Sequence, residues 1–403
     1  MAVVSGLRVL VLTETFRPEI GGGERQAAVL GRGLIERGHE VTLLTRRSRA
    51  GLANEEVSDG IRVVRVGPTG PGRRRKWGLI VTALPALWRL RRAYDVVLVS
   101  GFRILAVPAL IAGRWLGKPV VLKADSNGEM SGEFFRAGLA SARLAPESAL
   151  VRAMIGLRNG LLLRAAAFVA ISEEIREEIV AQGVPPERVH RIPNGVDTRA
   201  FRPATAEERS ALRSQLGLPP GPVVVFTGRL VSYKGLPALL EAWRVVVRDV
   251  TGATLVLVGE GGGDMHDCEA ALREFVRQEG LDSRVRFTGA VANVEDWLRA
   301  ADLFVFPTEN EAFGLSLVEA MACGLPAITT QAGGIKDFAQ HDRNAWVVPP
   351  CDGTVLAAAL RTMLDAPEQA ARLGRAAREM VLARFGESAV AAAYERLLRQ
   401  VTA

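Results

Sequence analysis

Four apolar residues in a row, Leu303, Phe304, Val305 and Phe306, lead through Pro307 into T-E-N-E-A-F-G-L-S-L-V-E-A-M-A-C-G-L-P, Thr308 to Pro326. A short unalternating apolar run of this kind reads as a buried strand. After Gly314 the helix formers Leu317, Val318, Glu319, Ala320, Met321 and Ala322 continue until Gly324 and Pro326 stop them. The result is a strand, a turn and a returning helix. Parallel strands need such crossover helices, and the helices cover the sheet faces, so a chain made of these units has few folds open to it. The turn, with Glu311, Phe313 and Gly314, belongs at the carboxyl edge of the sheet, where open α/β proteins bind ligands. The backbone N–H groups of Phe313, Gly314 and Leu315 suit a phosphate, being helix-start donors without internal partners. Glu319, just over one turn inside the helix, suits a ribose diol, and Glu311 reaches a sugar hydroxyl.

The same unit recurs along the chain. Strands are expected at Leu7 to Thr13, Gly38 to Thr45, Ile61 to Val66, Asp95 to Ser100, Pro119 to Lys123, Ala167 to Ile171 and Val189 to Ile192. Between the first two lie P-E-I-G-G-G-E, Pro18 to Glu24, and a helix from about Arg25 to Arg37. The glycines there, Gly21, Gly22 and Gly23, permit close approach of backbone to a ligand, although they do not form the G-x-G-x-x-G of dinucleotide binders. Residues 134–165 are apolar with scattered arginines and read as one or two helices, and Ser172 caps a further one. A polar, proline-bearing link, Arg202 to Pro222, precedes a second series of strands at Val223 to Thr227, Thr254 to Val258 and Val285 to Thr288, followed by P-A-I-T-T and N-A-W-V-V and by terminal helices over Glu368 to Gln400. A chain of 403 residues exceeds what one core serves. The pattern predicts an α/β protein of two doubly wound, Rossmann-like domains, residues 1–195 and 196–380, with a last segment at 381–403.

In the second series, G-R-L-V-S-Y-K-G places Arg229 and Lys234 at a helix start, directed to the same sheet edge as Glu311. G-E-G-G-G-D, Gly259 to Asp264, is either a nucleotide contact or a flexible turn. Three widely spaced cysteines, Cys268, Cys323 and Cys351, form no metal-ligand pattern and suggest a reducing compartment. The net charge of +7 favours a polyanionic neighbour, whether nucleoside diphosphate, anionic lipid or nucleic acid. Met1 to Gly6 is short and uncharged, unlike a signal peptide, and no apolar run is long enough to cross a bilayer. The expected location is cytoplasmic. Arg73 to Arg92 holds seven basic residues, two tryptophans and no acid. It reads either as a basic amphipathic stretch for the inner face of an anionic membrane or as a core-facing helix with a solvated basic end. No nucleic-acid module surrounds it, so nucleic acid is not an expected partner.

The segment E-A-F-G-L-S-L-V-E-A-M-A resembles the Glu-x7-Glu signature of GT-B glycosyltransferases of the glycosyltransferase 4 type, which are retaining and use nucleotide-sugars; the pair here is Glu311 and Glu319. Pro18, Gly21, Gly22 and Glu24 match a Pro-x-x-Gly-Gly-x-Glu segment of that family, and P-N-G-V-D-T-R-A-F, Pro193 to Phe201, matches the end of its first domain. The resemblance implies two domains facing a central cleft, the first on the acceptor side and the second holding the donor, with the last helix crossing back to the first. It further implies that Gly21, Gly22 and Gly23 close over the donor diphosphate, that Arg229 and Lys234 neutralise it, and that backbone at Val291 touches the base. No metal and no cofactor are implied beyond a nucleoside-diphosphate sugar as donor; the acceptor is a glycan, lipid-linked or small-molecule hydroxyl. One position departs. Many members carry a histidine six residues after the proline of the Pro119 strand, where this chain has Asp125, either its replacement or a helix cap or turn former. A catalytically silent nucleotide-sugar or glycan-binding protein and a GT-B-like epimerase remain alternatives.

Overall fold

The computed structural model describes all residues except 1–5, 20, 71–72, 134–148 and 264, and for 73–77 and 149–150 the backbone alone. Most of Met1 to Gly6, the start of the 134–165 stretch, Asp264 of the glycine run and Ile20 therefore lie outside the described residues. Two compact units are present, Met1–Gly195 with Glu387–Ala403, and Val196–Gly386.

In the first unit the strands are β1 (Arg8–Leu12), β2 (Glu40–Arg46), β3 (Glu55–Ser58), β4 (Ile61–Val66), β5 (Val96–Ser100), β6 (Val120–Lys123), β7 (Ala167–Ala170) and β8 (Val189–Arg191). Among the described residues they form one sheet in the order β3-β4-β2-β1-β5-β6-β7-β8, parallel except for β3 against β4. Strands β5, β6 and β7 are buried along their whole length, which is why their sequences run apolar without alternation. The order reverses at β1, between β2 and β5, so the turns after β1 and β5 part there and leave a crevice at the carboxyl edge. The β3–β4 hairpin was not expected. Its turn is Asp59-Gly60, both with positive φ (52° and 78°), the geometry that favours Asp-Gly in a two-residue hairpin.

The first helix, Gly22–Glu36, begins three residues before the expected start near Arg25, taking Gly22 and Gly23 into its first turn. Helix Glu387–Thr402 lies against it, and Tyr394, Leu397 and Leu398 join Val9, Val11 and Leu34 in one core. Ser172 sits at the N-cap of helix Glu173–Ala181 in extended conformation, but its hydroxyl makes no capping bond, contrary to expectation.

The second unit has β9 (Val223–Thr227), β10 (Thr254–Val258), β11 (Val285–Gly289), β12 (Leu303–Phe306), β13 (Ala327–Thr329) and β14 (Trp346–Val347), paired in parallel in the order β11-β10-β9-β12-β13-β14 among the described residues. Here β9 is the reversal point. The link read as irregular from Arg202 to Pro222 contains a helix, Ala206–Gln215, started by a reciprocal cap in which Thr205 accepts from the Glu208 N–H and Glu208 from that of Thr205. T-A-E-E carries that capping signal in its spacing.

Gly33 shows how closely the first and last helices pack: a Cβ there would lie 2.7 Å from the Ala391 Cβ. Replacing a helical glycine ordinarily gains up to about 1 kcal/mol of helix propensity, whereas overpacking costs about 1–3 kcal/mol. Gly33→Val is expected to lower the melting temperature with a net loss of about 2 kcal/mol. A melting temperature equal to or above the parent's would contradict this packing.

Candidate active site

In the second unit the turns after β9 and β12 leave neighbouring parallel strands at the same edge and are bonded to each other. The Glu309 N–H donates to the Tyr233 carbonyl at 2.9 Å, and Thr308 Oγ1 donates to the same oxygen at 3.2 Å. Across this seam Lys234 Nζ donates to Glu311 Oε2 at 2.6 Å, with both side chains largely buried. Lys234 ends a short 3-10 turn, Ser232–Lys234, and Gly235 follows with φ of 71°. A Cβ on Gly235 would lie 2.0 Å from the Pro307 carbonyl oxygen, so only glycine lets the two turns close. Gly333 does the same beside Glu311, whose carbonyl accepts from the Gly334 N–H at 3.0 Å.

Arg229 lies on the same β9 turn. Its Nη2 donates to the Tyr233 hydroxyl at 2.5 Å, and its guanidinium carbon is 6.0 Å from the Tyr233 ring centre; Lys234 Nζ is 5.3 Å from that centre. Tyr233 thus orients two cations, one by its hydroxyl and both by its ring. The sequence reading passed over it, although its place in S-Y-K-G, next to Lys234, was a visible signal.

Phe313 buries its ring against Phe338 and Phe385, which anchors the turn. Gly314, the N-cap of helix Leu315–Ala322, has φ of 97° and aims the first-turn N–H groups, Leu315 included, at the sheet edge. Glu319 is in that helix as expected and is buried. The Cys323 thiol, one turn on, is pushed up by burial and then by the Glu319 charge. Val291 is half-buried, two residues beyond the end of β11. At the ends of β9 and β10, Gly228 and Gly259 bring backbone so close that a Cβ on Gly259 would meet the Gly228 oxygen at 1.9 Å.

In the first unit Gly21, Gly22 and Gly23 sit after β1. Gly21 is extended at the helix N-cap, a Cβ on it would lie 2.4 Å from Glu24 Oε2, and Gly23 faces open space. Glu24 accepts from the Thr15 hydroxyl. Asp125 lies just beyond β6, at the same edge. Its carboxylate accepts from Ser100 Oγ at 2.7 Å and from Lys123 Nζ, while its N–H donates to Glu129 Oε1 at 3.2 Å. Asp125 thus serves as the acceptor of an ion pair with a buried lysine, a partnership that the cap and turn readings did not include. Burial pushes Lys123 down to about 8, outweighing the Glu129 charge, and burial also raises the Glu129 carboxyl.

Helix Arg73–Arg89 turns Leu79, Ala83, Ala86 and Leu87 inward, with Leu90 buried just beyond it, while Val81 (74% exposed), Pro85, Trp88 (49%), Arg89 and Arg92 face outward. The core-facing stripe agrees with the second reading of this stretch, while its basic start, residues 73–76, lies outside the described side chains. No helix among the described residues is long and apolar enough to cross a membrane.

Comparison with known proteins decides the family. The profile described as "Glycosyl transferases group 1" matches residues 221–366, and that described as "Glycosyltransferase Family 4" matches residues 20–200. A D-inositol 3-phosphate glycosyltransferase of Xylanimonas cellulosilytica is 30% identical over 95% of this chain and 93% of its own, and one of Jonesia denitrificans is 31% identical over 82% and 80%. The chain belongs to glycosyltransferase family 4. It is a sugar-transferring enzyme, in accord with the first of the three functional expectations. This glycosyltransferase has the GT-B type of fold: the Anabaena protein HepE, solved with UDP and glucose, superposes with a TM-score of 0.76 over 98% of this chain and 99% of its own, at 22% identity.

Burial of Lys123 has a pH signature. The folded group releases its proton near pH 8 and the unfolded one near 10.5, so between these values the unfolded chain binds more protons and the folded state gains stability as pH rises. Relative to Lys123→Met, the parent enzyme is expected to gain on the order of 3 kcal/mol across that window. Denaturation at pH 8 and 10.5 measures it; an unchanged gap between the two proteins would contradict it.

Proposed function

We propose that this glycosyltransferase takes its sugar from a nucleoside diphosphate and delivers it, with retention, to a hydroxyl group, without a metal ion. The observation that carries the reading is the Lys234–Glu311 contact, which sets a cation and a carboxylate side by side at the sheet edge next to a helix start. Arg229 and Lys234 neutralise the diphosphate, a planar fork and a point charge on a group whose negative charge grows as the bond breaks. The N–H groups of Phe313, Gly314 and Leu315 add helix-start donors, and Gly21, Gly22 and Gly23 let backbone approach the phosphates. Glu319 takes the ribose diol, Glu311 a sugar hydroxyl, and Val291 backbone the base. The bond from the anomeric carbon to the diphosphate oxygen breaks as the acceptor oxygen bonds that carbon from the same face. The leaving phosphate receives the acceptor proton. Asp125 accepts from a sugar hydroxyl and faces the positive charge that develops at the anomeric carbon.

The UDP and glucose in the HepE structure, and the polyol phosphate in the relatives' names, favour a nucleotide-sugar donor and a hydroxyl acceptor of the glycan, lipid-linked or small-molecule kind. The donor-side groups belong to the second unit and the acceptor side to the first. The outward face of helix Arg73–Arg89 supports a further element, attachment to the inner face of an anionic membrane through Trp88, Val81 and the arginines.

Two measurements test these readings. Arg229→Ala and Lys234→Ala are each expected to reduce nucleoside diphosphate release from UDP-, GDP- or ADP-glucose by about 10²-fold or more, in the presence of a chelator as well as without it. Near-parent turnover in both variants would sink the diphosphate clamp, and activity lost to the chelator would sink metal independence. In vesicle sedimentation, binding to anionic but not neutral vesicles is expected, weakening as salt rises. Equal binding to both kinds, or to neither, would remove the membrane reading.

A further inference from the structure

A lysine buried in a parallel strand is costly unless its charge is matched, and β6 needs none to form: Val120, Val121 and Leu122 already supply an apolar run. Lys123 nevertheless ends that strand, directly opposite Ser100 in the β5–β6 register. The two side chains converge on one target two residues further on. Ser100 Oγ donates to Asp125 Oδ2 at 2.7 Å and Lys123 Nζ donates to Oδ1, so each carboxylate oxygen has its own donor. Gly101, with φ of 66° in the left-handed region that favours glycine, adjoins the carboxylate: a Cβ there would lie in ordinary contact with Asp125 Oδ2, at 3.4 Å. The Asp125 N–H is held by Glu129, so backbone and side chain are both fixed. About a quarter of the Asp125 side chain (26%) stays exposed while Lys123 is almost wholly covered (4%), which leaves the carboxylate the accessible member of the pair.

We infer that Lys123 is a positioning residue for transfer: with Ser100 it pins Asp125 as a fixed anion that accepts hydrogen bonds and faces positive charge, in place of a proton carrier. The inference rests on the proposal that Asp125 takes part in the reaction. A carboxylate gripped at both oxygens by a cation and a hydroxyl is a poor proton acceptor, but a pre-oriented dipole partner for a sugar hydroxyl. Of the other charged and titratable groups that face the pair, Glu129 and Glu387 have partners of their own, the Glu129 charge also acts on Lys123, and burial raises the Tyr394 phenol, whose hydroxyl makes no hydrogen bond among the described residues. Glu129, on the following turn, accepts from Ser126 Oγ at 3.2 Å and has Arg103 of helix Phe102–Leu116 at 3.8 Å; its backbone carbonyl accepts from Arg158 of helix Ala149–Leu162 at 2.6 Å. From the terminal helix, Glu387 and Tyr394 line a small cavity with Lys123, and Glu387 lies 3.6 Å from Arg32. Lys123 is therefore the charge that faces Asp125 directly, and its low proton affinity, near pH 8, makes the grip dependent on pH.

Nucleoside diphosphate release from UDP-, GDP- or ADP-glucose, measured from pH 6 to 9.5, tests this with Asp125→Asn, Lys123→Met, Lys123→Arg and the double variant Lys123→Met/Asp125→Asn. Lys123→Met is expected to lower kcat at least about 10-fold, an order typical of lost positioning, with the donor KM unchanged, and to cost nothing more in the Asp125→Asn background. The parent's kcat should decline as pH rises through about 8, where Lys123 loses its proton. Lys123→Arg, charged throughout, should restore activity and remove that decline. Additive losses in the double variant, or parent-like kcat for Lys123→Met beside a crippled Asp125→Asn, would overturn the role of Lys123 alone. Parent-like kcat for Asp125→Asn would defeat the assignment of Asp125 itself, and the inference with it. Should Lys123→Met or Lys123→Arg fail to fold, Ser100→Ala, which removes the other donor, enters the same cycle with the same non-additivity expected and the same additivity contradicting it.

Discussion

The salt bridge of Lys234 to Glu311 depends on two turns from different strands meeting without a side chain between them, and much of the second unit serves that closure. Gly235 and Gly333 give way to the Pro307 and Glu311 carbonyls. Thr308 and Glu309 bind the Tyr233 carbonyl, and Phe313 is nailed into an aromatic cluster behind the turn. In water an ion pair of this kind contributes up to about 1 kcal/mol. Its value here is placement: a buried cation and carboxylate held beside a helix start form a preorganised electrostatic surface, the kind of arrangement that stabilises charge developing on a leaving diphosphate without reorganising during the reaction.

The first unit handles its buried charges by a different route. Lys123 and Glu129 lie under the carboxyl edge of its sheet, each desolvated and each matched, the one by Asp125 and the other by Ser126, Arg103 and the Asp125 backbone. Removing one member of such a set leaves an uncompensated buried charge, which is why it behaves as a unit. The core beneath is closed by a helix from the far end of the chain: Glu387–Thr402 packs on Gly22–Glu36, and Gln26 on the latter exchanges two hydrogen bonds with Gly195, at 2.7 and 2.8 Å. The helix that follows the glycine turn after β1 is thereby tied to Gly195, the end of the unit's first segment.

The strands were legible because both faces of a parallel sheet are buried, so their apolar runs, such as Val96–Ser100 and Leu303–Phe306, have no polar interruption. The turn chemistry around Glu311 was legible for a related reason: Gly314 and Gly324 bracket a run of helix formers. Weaker local signals were present but passed over, namely Asp59-Gly60 of the β3–β4 hairpin and the Thr205–Glu208 cap. Ser172 shows the opposite failure, a good capping residue whose hydroxyl does not cap. The Lys123–Asp125–Ser100 cluster was not legible at all. It depends on Ser100 standing opposite Lys123 across two strands, a register that no local pattern encodes. Tyr233 falls between, visible next to Lys234, but with a role that appears only once the turn folds its ring under both cations.

The central claim is that the carboxyl edge of the second sheet, from the β9 turn to the helix after β12, holds the donor. Hydrogen exchange in the presence of UDP, GDP or ADP, with a chelator present, tests it most directly. Slowed exchange is expected in peptides spanning 228–235 and 308–319 for the nucleotide that binds, with no slowing at the opposite edge of the same sheet, where β9 begins at Val223. Protection confined to other segments, or protection at these two that appears only when divalent metal is supplied, would contradict the account.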